Sequence, residues 1–164
     1  MWSVRYLNSV KLNIFFIATF LLVWFNDYNE DVLNEITIPN TIVNCDSHQE
    51  SDESNPETKF FSGDWESLES KYLSKLIKDD GDKFDLILTS ETIYNQENQS
   101  KLVSIFSNYL KSGGQVLVAG KTFYFGVGGG MRQFEKVVKD SGMKCDIVKS
   151  YDTGVKREIM KIQL

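Results

Sequence analysis

Residues 84–94 (FDLILTSETIY) and 121–130 (KTFYFGVGGG) decide how the rest of this chain is read. The first is an apolar run that breaks off at Thr89, Ser90 and Glu91, the pattern of a buried parallel strand whose carboxyl end opens onto a crevice. The second follows another apolar run, 116–119, and carries Lys121, adjoining aromatic side chains and glycines at 126, 128, 129 and 130. Two strand ends of this design facing one crevice make a site. Between them, Leu102, Ile105, Phe106, Tyr109 and Leu110 fall at i, i+3, i+4, i+7 and i+8, which predicts a helix, with Asn95 as its cap. Gly113 and Gly114 are expected to stop that helix, and a strand to start at Gln115.

The same alternation extends in both directions. Upstream, Phe60 and Phe61 read as a short strand ending at Gly63, and Leu68, Tyr72, Leu73, Leu76 and Ile77 share one helical face that ends at Asp80, Gly81 and Asp82. Trp24 and Phe25 running into Asp27 read as the end of a core strand. Val32, Leu33, Ile36 and Val43 then recur at near-helical spacing, with Asn29 as N-cap and Pro39 as a kink or stop. Downstream, Phe134, Val137 and Val138 mark a helix ended near Gly142, and 144–151 and 157–164 pair as a hairpin around Asp152, Thr153 and Gly154. Strands alternating with helices imply an α/β fold, a doubly wound, mainly parallel sheet with a C-terminal antiparallel hairpin.

Composition narrows the function classes. At 164 residues the chain is one domain by length. A net charge of -5 and a pI near 4.9 disfavour direct nucleic-acid binding. Cys45 and Cys145 lie far apart and His48 is the sole histidine, so no metal site and no disulfide framework are expected, and an intracellular setting is. Residues 46–57 hold five acids and no large apolar side chain, the signature of a disordered acidic insertion. Residues 14–25 (IFFIATFLLVWF) carry no charge. They are shorter than the ~20 apolar residues of a spanning helix, so buried core is the favoured reading over membrane insertion or a leader.

Together with 27–40 (DYNEDVLNEITIPN) and 60–65 (FFSGDW), the two opening stretches make residues 24–164 resemble the protein-histidine N-methyltransferases of the methyltransferase-like group. That family has the seven-stranded class I fold. The resemblance implies S-adenosylmethionine as cofactor, a histidine of a protein substrate as acceptor, in that family one of a ribosomal large-subunit protein, and work in the cytoplasm and nucleus. Asp27 matches the carboxylate that accepts both ribose hydroxyls, and Asp64 the one that meets the adenine amino group, with Trp65 packed on the ring. Both acids also read as helix N-caps. Ser90, Glu91 and Tyr94 match the wall between cofactor and nucleophile, where Glu91 accepts the imidazole N–H that does not react, or else caps the next helix. Tyr124 or Phe125 is expected to stack on the imidazole, with Gly126 and Gly128 letting the backbone approach the substrate.

The departure from the family lies upstream of Asp27, where neither a first strand nor a D-x-G-x-G turn is found. Residues 1–22 are therefore expected to be an atypical apolar leader, and 23–164 a partial methyltransferase domain with an exposed gap in its sheet. The competing expectation is an inactive, truncated product acting at most as an interaction module. For an active site, Asp27, Asp64, Ser90 and Lys121 are expected to converge on one pocket.

Overall fold

A computed structural model describes residues 5–9, 22–46 and 57–164. Seven strands form one sheet: β1 (Arg5–Ser9), β2 (Leu22–Asp27), β3 (Glu57–Ser62), β4 (Phe84–Ser90), β5 (Leu110–Lys121), β6 (Lys144–Tyr151) and β7 (Arg157–Gln163). Their order across the sheet is β3-β2-β1-β4-β5-β7-β6. β3 through β5 run parallel, while β7 pairs antiparallel with both β5 and β6. The doubly wound sheet and its terminal hairpin are as expected.

The expected gap between β2 and β4 is not there. Arg5–Ser9 pairs with β2 from Arg5 opposite Leu22 to Ser9 opposite Asn26, and with β4 from Tyr6 opposite Leu86 to Ser9 opposite Thr89. A first strand escaped the sequence reading because RYLNS is short, has no apolar run and is not followed by glycines. Its flanking residues 10–21, which include most of the expected leader, lie outside the described residues, as does 47–56 of the expected disordered insertion. At the edges of that insertion, Asp46 closes a helix and Glu57 opens β3.

Period-two alternation explains how β2 serves both faces of the sheet. Trp24 packs on Phe61 and, edge-on, on Phe84, with ring centroids 5.2 and 5.3 Å away. That side continues into α2 (65–76), α3 (Gln96–Tyr109) and α4 (Met131–Asp140) through Leu68, Leu73, Phe106 and Phe134. Its neighbours Val23 and Phe25 face the other way, toward Leu33 of α1 (30–46), with Phe25 stacked on Phe60 at 5.1 Å. Every residue of β2 from Val23 to Asn26 is therefore buried, and burying one Phe or Trp of this kind contributes roughly 1.5–3 kcal/mol.

Two helix boundaries differ from the sequence reading. Pro39 does not stop α1, which runs on to Asp46. A π-helical stretch, Leu33–Thr37, directly precedes it and widens the backbone where proline offers no N–H. Gly113 and Gly114 do not stop α3 either. The helix ends at Tyr109, Leu110 already pairs with Phe84, and four residues then bulge out before Gln115 pairs with Leu86. Gly113 supplies the bulge with φ +82°, and a Cβ at Gly114 would lie 2.9 Å from the Asp85 carbonyl oxygen. Tight backbone approach, not helix termination, uses this pair.

Chain direction sets the place of the site. The path steps from β1 outward to β2 and β3, then returns to the other side of β1 to begin β4. Between β1 and β4 the crossovers reverse, and beyond the carboxyl ends of those strands a crevice must open.

Candidate functional site

A cavity of about 550 Å³ occupies that crevice. Asp27 and Tyr28 enter it from the end of β2, Gly63, Asp64 and Trp65 from the end of β3, and Ser90, Glu91 and Tyr94 from the end of β4. The register aligns these exits, since Asp27 pairs with Ser62, and Ser9 with both Asn26 and Thr89. Buried Asn26 ties two exits together by donating its side-chain N–H to the Phe61 carbonyl at 3.1 Å. Three of the four positions expected to converge do so. Lys121 does not, because β5 lies one strand further from the switch point; its ammonium sits 5.2 Å from the ring centroid of Tyr124 instead.

The two acids at the β2 and β3 exits are shaped by local backbone. One Asp27 carboxylate oxygen accepts the Asn29 N–H at 2.8 Å, and the Asn29 side chain itself makes no cap hydrogen bond. Asp64 caps α2 by accepting the Ser67 N–H at 2.7 Å. Hydrogen bonds from the Ser67 backbone and side chain hold the Asp64 carboxyl below the usual carboxylate range, with smaller help from Lys101 and Lys71. Capping and cavity lining thus coincide in Asp64, because a carboxylate has two oxygens and the cap uses one. A fixed anion beside the half-buried Trp65 indole suits a flat ring that offers an N–H donor.

Glu91 has the most unusual backbone at the site. It is the one non-glycine among the described residues with positive φ, at +57°, and its N–H is donated to the Ala119 carbonyl at 2.9 Å. Holding such a residue in the left-handed region costs roughly 1–2 kcal/mol, which the surrounding β4–β5 pairing maintains. The helix-cap alternative for Glu91 falls away, since Asn95 caps α3 by accepting the Glu97 N–H at 3.0 Å. Glu91 Oε1 lies 3.9 Å from Arg157 Nε. Burial first, with the negative charge of Glu91 as a smaller cause, pushes the Tyr124 phenol up to about 12, while its hydroxyl oxygen accepts the Lys121 backbone N–H at 3.2 Å.

The glycine-rich loop differs from its expected role. Tyr124 is only 7 % exposed and packs edge-on against Tyr94 at 6.2 Å, so its ring is not available to stack on an incoming imidazole. Phe125 is 83 % exposed and meets Phe123 edge-on at 5.1 Å, and Val127 and Tyr94 are exposed as well. Gly126 and Gly128 have φ of +80° and +83°, which sets the turn, but the close approaches belong to their neighbours. A Cβ on Gly129 would run into the backbone oxygens of Tyr94 and Ile93, and one on Gly130 into the Thr122 carbonyl. The glycines press the loop onto this chain's own 93–94 peptide, and the Gln96 side chain holds it there through the Gly128 carbonyl.

Several lining residues escaped the sequence reading. Asn95, Asn98 and Lys101 line the cavity from α3, and Lys101 spans to Glu66 of α2 at 3.1 Å. The available signal was their i, i+3, i+6 spacing, a polar stripe beside the apolar face. Tyr28 next to Asp27 was the other. Among the described residues no three His, Cys, Asp or Glu side chains are grouped to hold a metal, and no helix is long and apolar enough to cross a membrane.

No family model matches the chain. It is 42% identical over 118 residues to the histidine protein methyltransferase 1 homolog of Dictyostelium discoideum, covering 72% of this chain and 34% of that protein. Against the protein of the same name from Bos taurus it is 36% identical over 159 residues, covering 85% of this chain and 42% of the other. The chain thus spans well under half the length of the curated relatives it matches. Among solved structures it superposes on a TehB-like SAM-dependent methyltransferase from Corynebacterium glutamicum with a TM-score of 0.61 at 12% identity, covering 98% of this chain and 80% of that one. That likeness is one of fold.

Proposed function

We propose that this chain, a homologue of the proteins named histidine protein methyltransferase 1 with the class I methyltransferase fold, transfers a methyl group from S-adenosylmethionine to a histidine side chain of a protein. A ribosomal large-subunit protein is the substrate that the kinship suggests. One observation carries the reading: the acids closing β2 and β3 and the strained acid closing β4 face a single cavity at the switch point of the sheet. Its volume suits a nucleoside-sized ligand, since small-molecule sites run from about 300 to 1,000 Å³.

The residues present fit the nucleoside half of the cofactor. Asp27 has an oxygen beyond its Asn29 contact for ribose hydroxyls, and Asp64 has one beyond its cap for an exocyclic amine, each a charge-assisted bond. Trp65 lies alongside as the apolar wall. S-Adenosylmethionine, when bound, supplies a methyl carbon already activated by positive sulfur, so the protein's task is mainly alignment. Glu91 performs it by accepting the N–H of one imidazole nitrogen, which leaves a lone pair on the other. As that nitrogen takes the methyl and the ring turns cationic, the Glu91 carboxylate stabilises the new charge and accepts the departing ring proton. Tyr94 closes the side of the cavity beside it.

A second reading is favoured by the residues after β1, where no glycine occurs before Gly63. Glycines at that turn are what let backbone amides approach the methionyl end, and without them the chain would serve as an interaction module only. Calorimetric titration with S-adenosylhomocysteine separates the two. Binding, weakened roughly 10- to 100-fold by Asp27→Ala as expected for a hydrogen bond to a charge, supports the enzyme. No heat of binding, or equal affinity in the variant, refutes the assigned site.

A further inference from the structure

We infer that Lys101 sets the base specificity of the cavity, its ammonium donating to the adenine ring nitrogen that flanks the amino group accepted by Asp64. The inference rests on the methyltransferase reading above and assigns a residue to the base end of its cofactor.

The carboxylates of Asp27, Asp64 and Glu91 line the cavity, and among the described residues Lys101 is the one cation that joins them. Its place in the fold is at the Asp64 end. Trp65 and Lys101 line both the main cavity and a shallower depression of about 250 Å³ beyond it, so together they form the partition between the two. Across that partition Lys101 Nζ reaches Glu66 Oε2 at 3.1 Å, which sets the ammonium beside the first turn of α2, two residues from Asp64. The charges agree with this placement, since Lys101 helps to hold the Asp64 carboxyl low. With side chains 42 % and 74 % exposed, the Lys101–Glu66 pair contributes little to stability. Its consequence is positional. An ammonium carries three N–H donors and Glu66 accepts one, so the others remain for the cavity.

Adenine calls for such a donor. On either side of its exocyclic amine stands a ring nitrogen with an in-plane lone pair, so the edge offers a donor next to an acceptor. A carboxylate answers the first and repels the second. Asp64 alone would leave a desolvated acceptor facing an anion, a loss comparable to an unmade hydrogen bond. An ammonium beside the carboxylate completes the pattern with a second charge-assisted bond, and the opposite charges of Asp64 and Lys101 stabilise their own proximity.

The test is calorimetric titration of the full chain with S-adenosylhomocysteine and with its 1-deaza and 7-deaza analogues, in which one or the other flanking nitrogen is replaced by C–H. The wild type is expected to bind at least one analogue about 10-fold more weakly than the parent, which identifies the nitrogen that is read. Lys101→Met keeps the apolar stem and drops the ammonium. It is expected to bind the parent about 10-fold more weakly and that analogue no more weakly than the parent, with an unchanged thermal melt. Equal affinity of the wild type for all three ligands overturns the role of Lys101. So does an analogue penalty that persists in Lys101→Met, as a backbone N–H donor would produce. Either result leaves the methyltransferase reading in place, whereas a wild-type chain that does not bind S-adenosylhomocysteine overturns that reading and this inference with it.

Discussion

Replacing Gly129 by alanine tests whether the glycine-rich loop is held by contact with this chain or by freedom of its backbone. The added Cβ would fall against two backbone oxygens, those of Tyr94 and Ile93, the latter at 2.6 Å, inside the 3.0 Å that real Cβ atoms keep. Neither oxygen belongs to a flexible side chain, so loop or strand exit must move. Overpacking of this kind costs roughly 1–3 kcal/mol, and the upper end applies where the obstacle is backbone. The lower chain entropy of alanine in the unfolded state returns about 0.4–1 kcal/mol, leaving a net loss near 2 kcal/mol. With a urea slope of about 2 kcal/mol/M, the unfolding midpoint falls by about 1 M.

Gly126→Ala supplies the control. It has open space around it and φ of +80°, so only backbone strain remains, about 1 kcal/mol and half the midpoint shift. The assay is urea unfolding of both variants, with amide exchange at Tyr124, whose N–H is donated to the Gly129 carbonyl at 2.9 Å. Gly129→Ala is expected to expose that amide and to disturb Tyr94 beside the cavity, whereas Gly126→Ala leaves both in place. Equal losses of stability, with the Tyr124 amide equally protected in both, would refute the packing argument.

Two further outcomes follow from individual side chains. Asp64→Ala removes both the α2 cap and the cavity carboxylate, with a loss of about 1 kcal/mol of stability, while Asp64→Ser keeps a capping oxygen and restores stability without restoring S-adenosylhomocysteine affinity; thermal melts and calorimetry on the pair check this, and affinity returning with Ser would argue against a cofactor contact. The Tyr124 phenol, raised to about 12 against about 10 unfolded, contributes stability that is complete below pH 10 and is lost as pH rises from 10 through 12; alkaline unfolding should begin later in Tyr124→Phe, and tyrosinate absorbance should lose its last-titrating group.

Much of this protein is legible in the order of its residues. Apolar runs bounded by Asp27 and Ser90, the Leu102–Tyr109 stripe and the turn at 152–154 are local patterns, and they placed β2, β4, α3 and the terminal hairpin with no knowledge of contacts. The acids at strand ends were likewise visible, since a charge that stops an apolar run marks where burial ends.

What tertiary structure alone decided is whatever depends on which segments become neighbours. RYLNS has no strand signal of its own and becomes β1 only because β2 and β4 offer unpaired edges on both sides of it. Gly126 and Gly128 read as freedom to approach a ligand, yet the tightest contacts of the loop are those of glycines 129 and 130 with peptides 93–94 and 122. Tyr124 reads as a stacking ring, yet packing buries it and leaves its hydroxyl to accept the Lys121 backbone N–H at the end of β5. Periodicity along a chain records which side chains leave water. It does not record which distant backbone they meet, and that pairing set the geometry of this site.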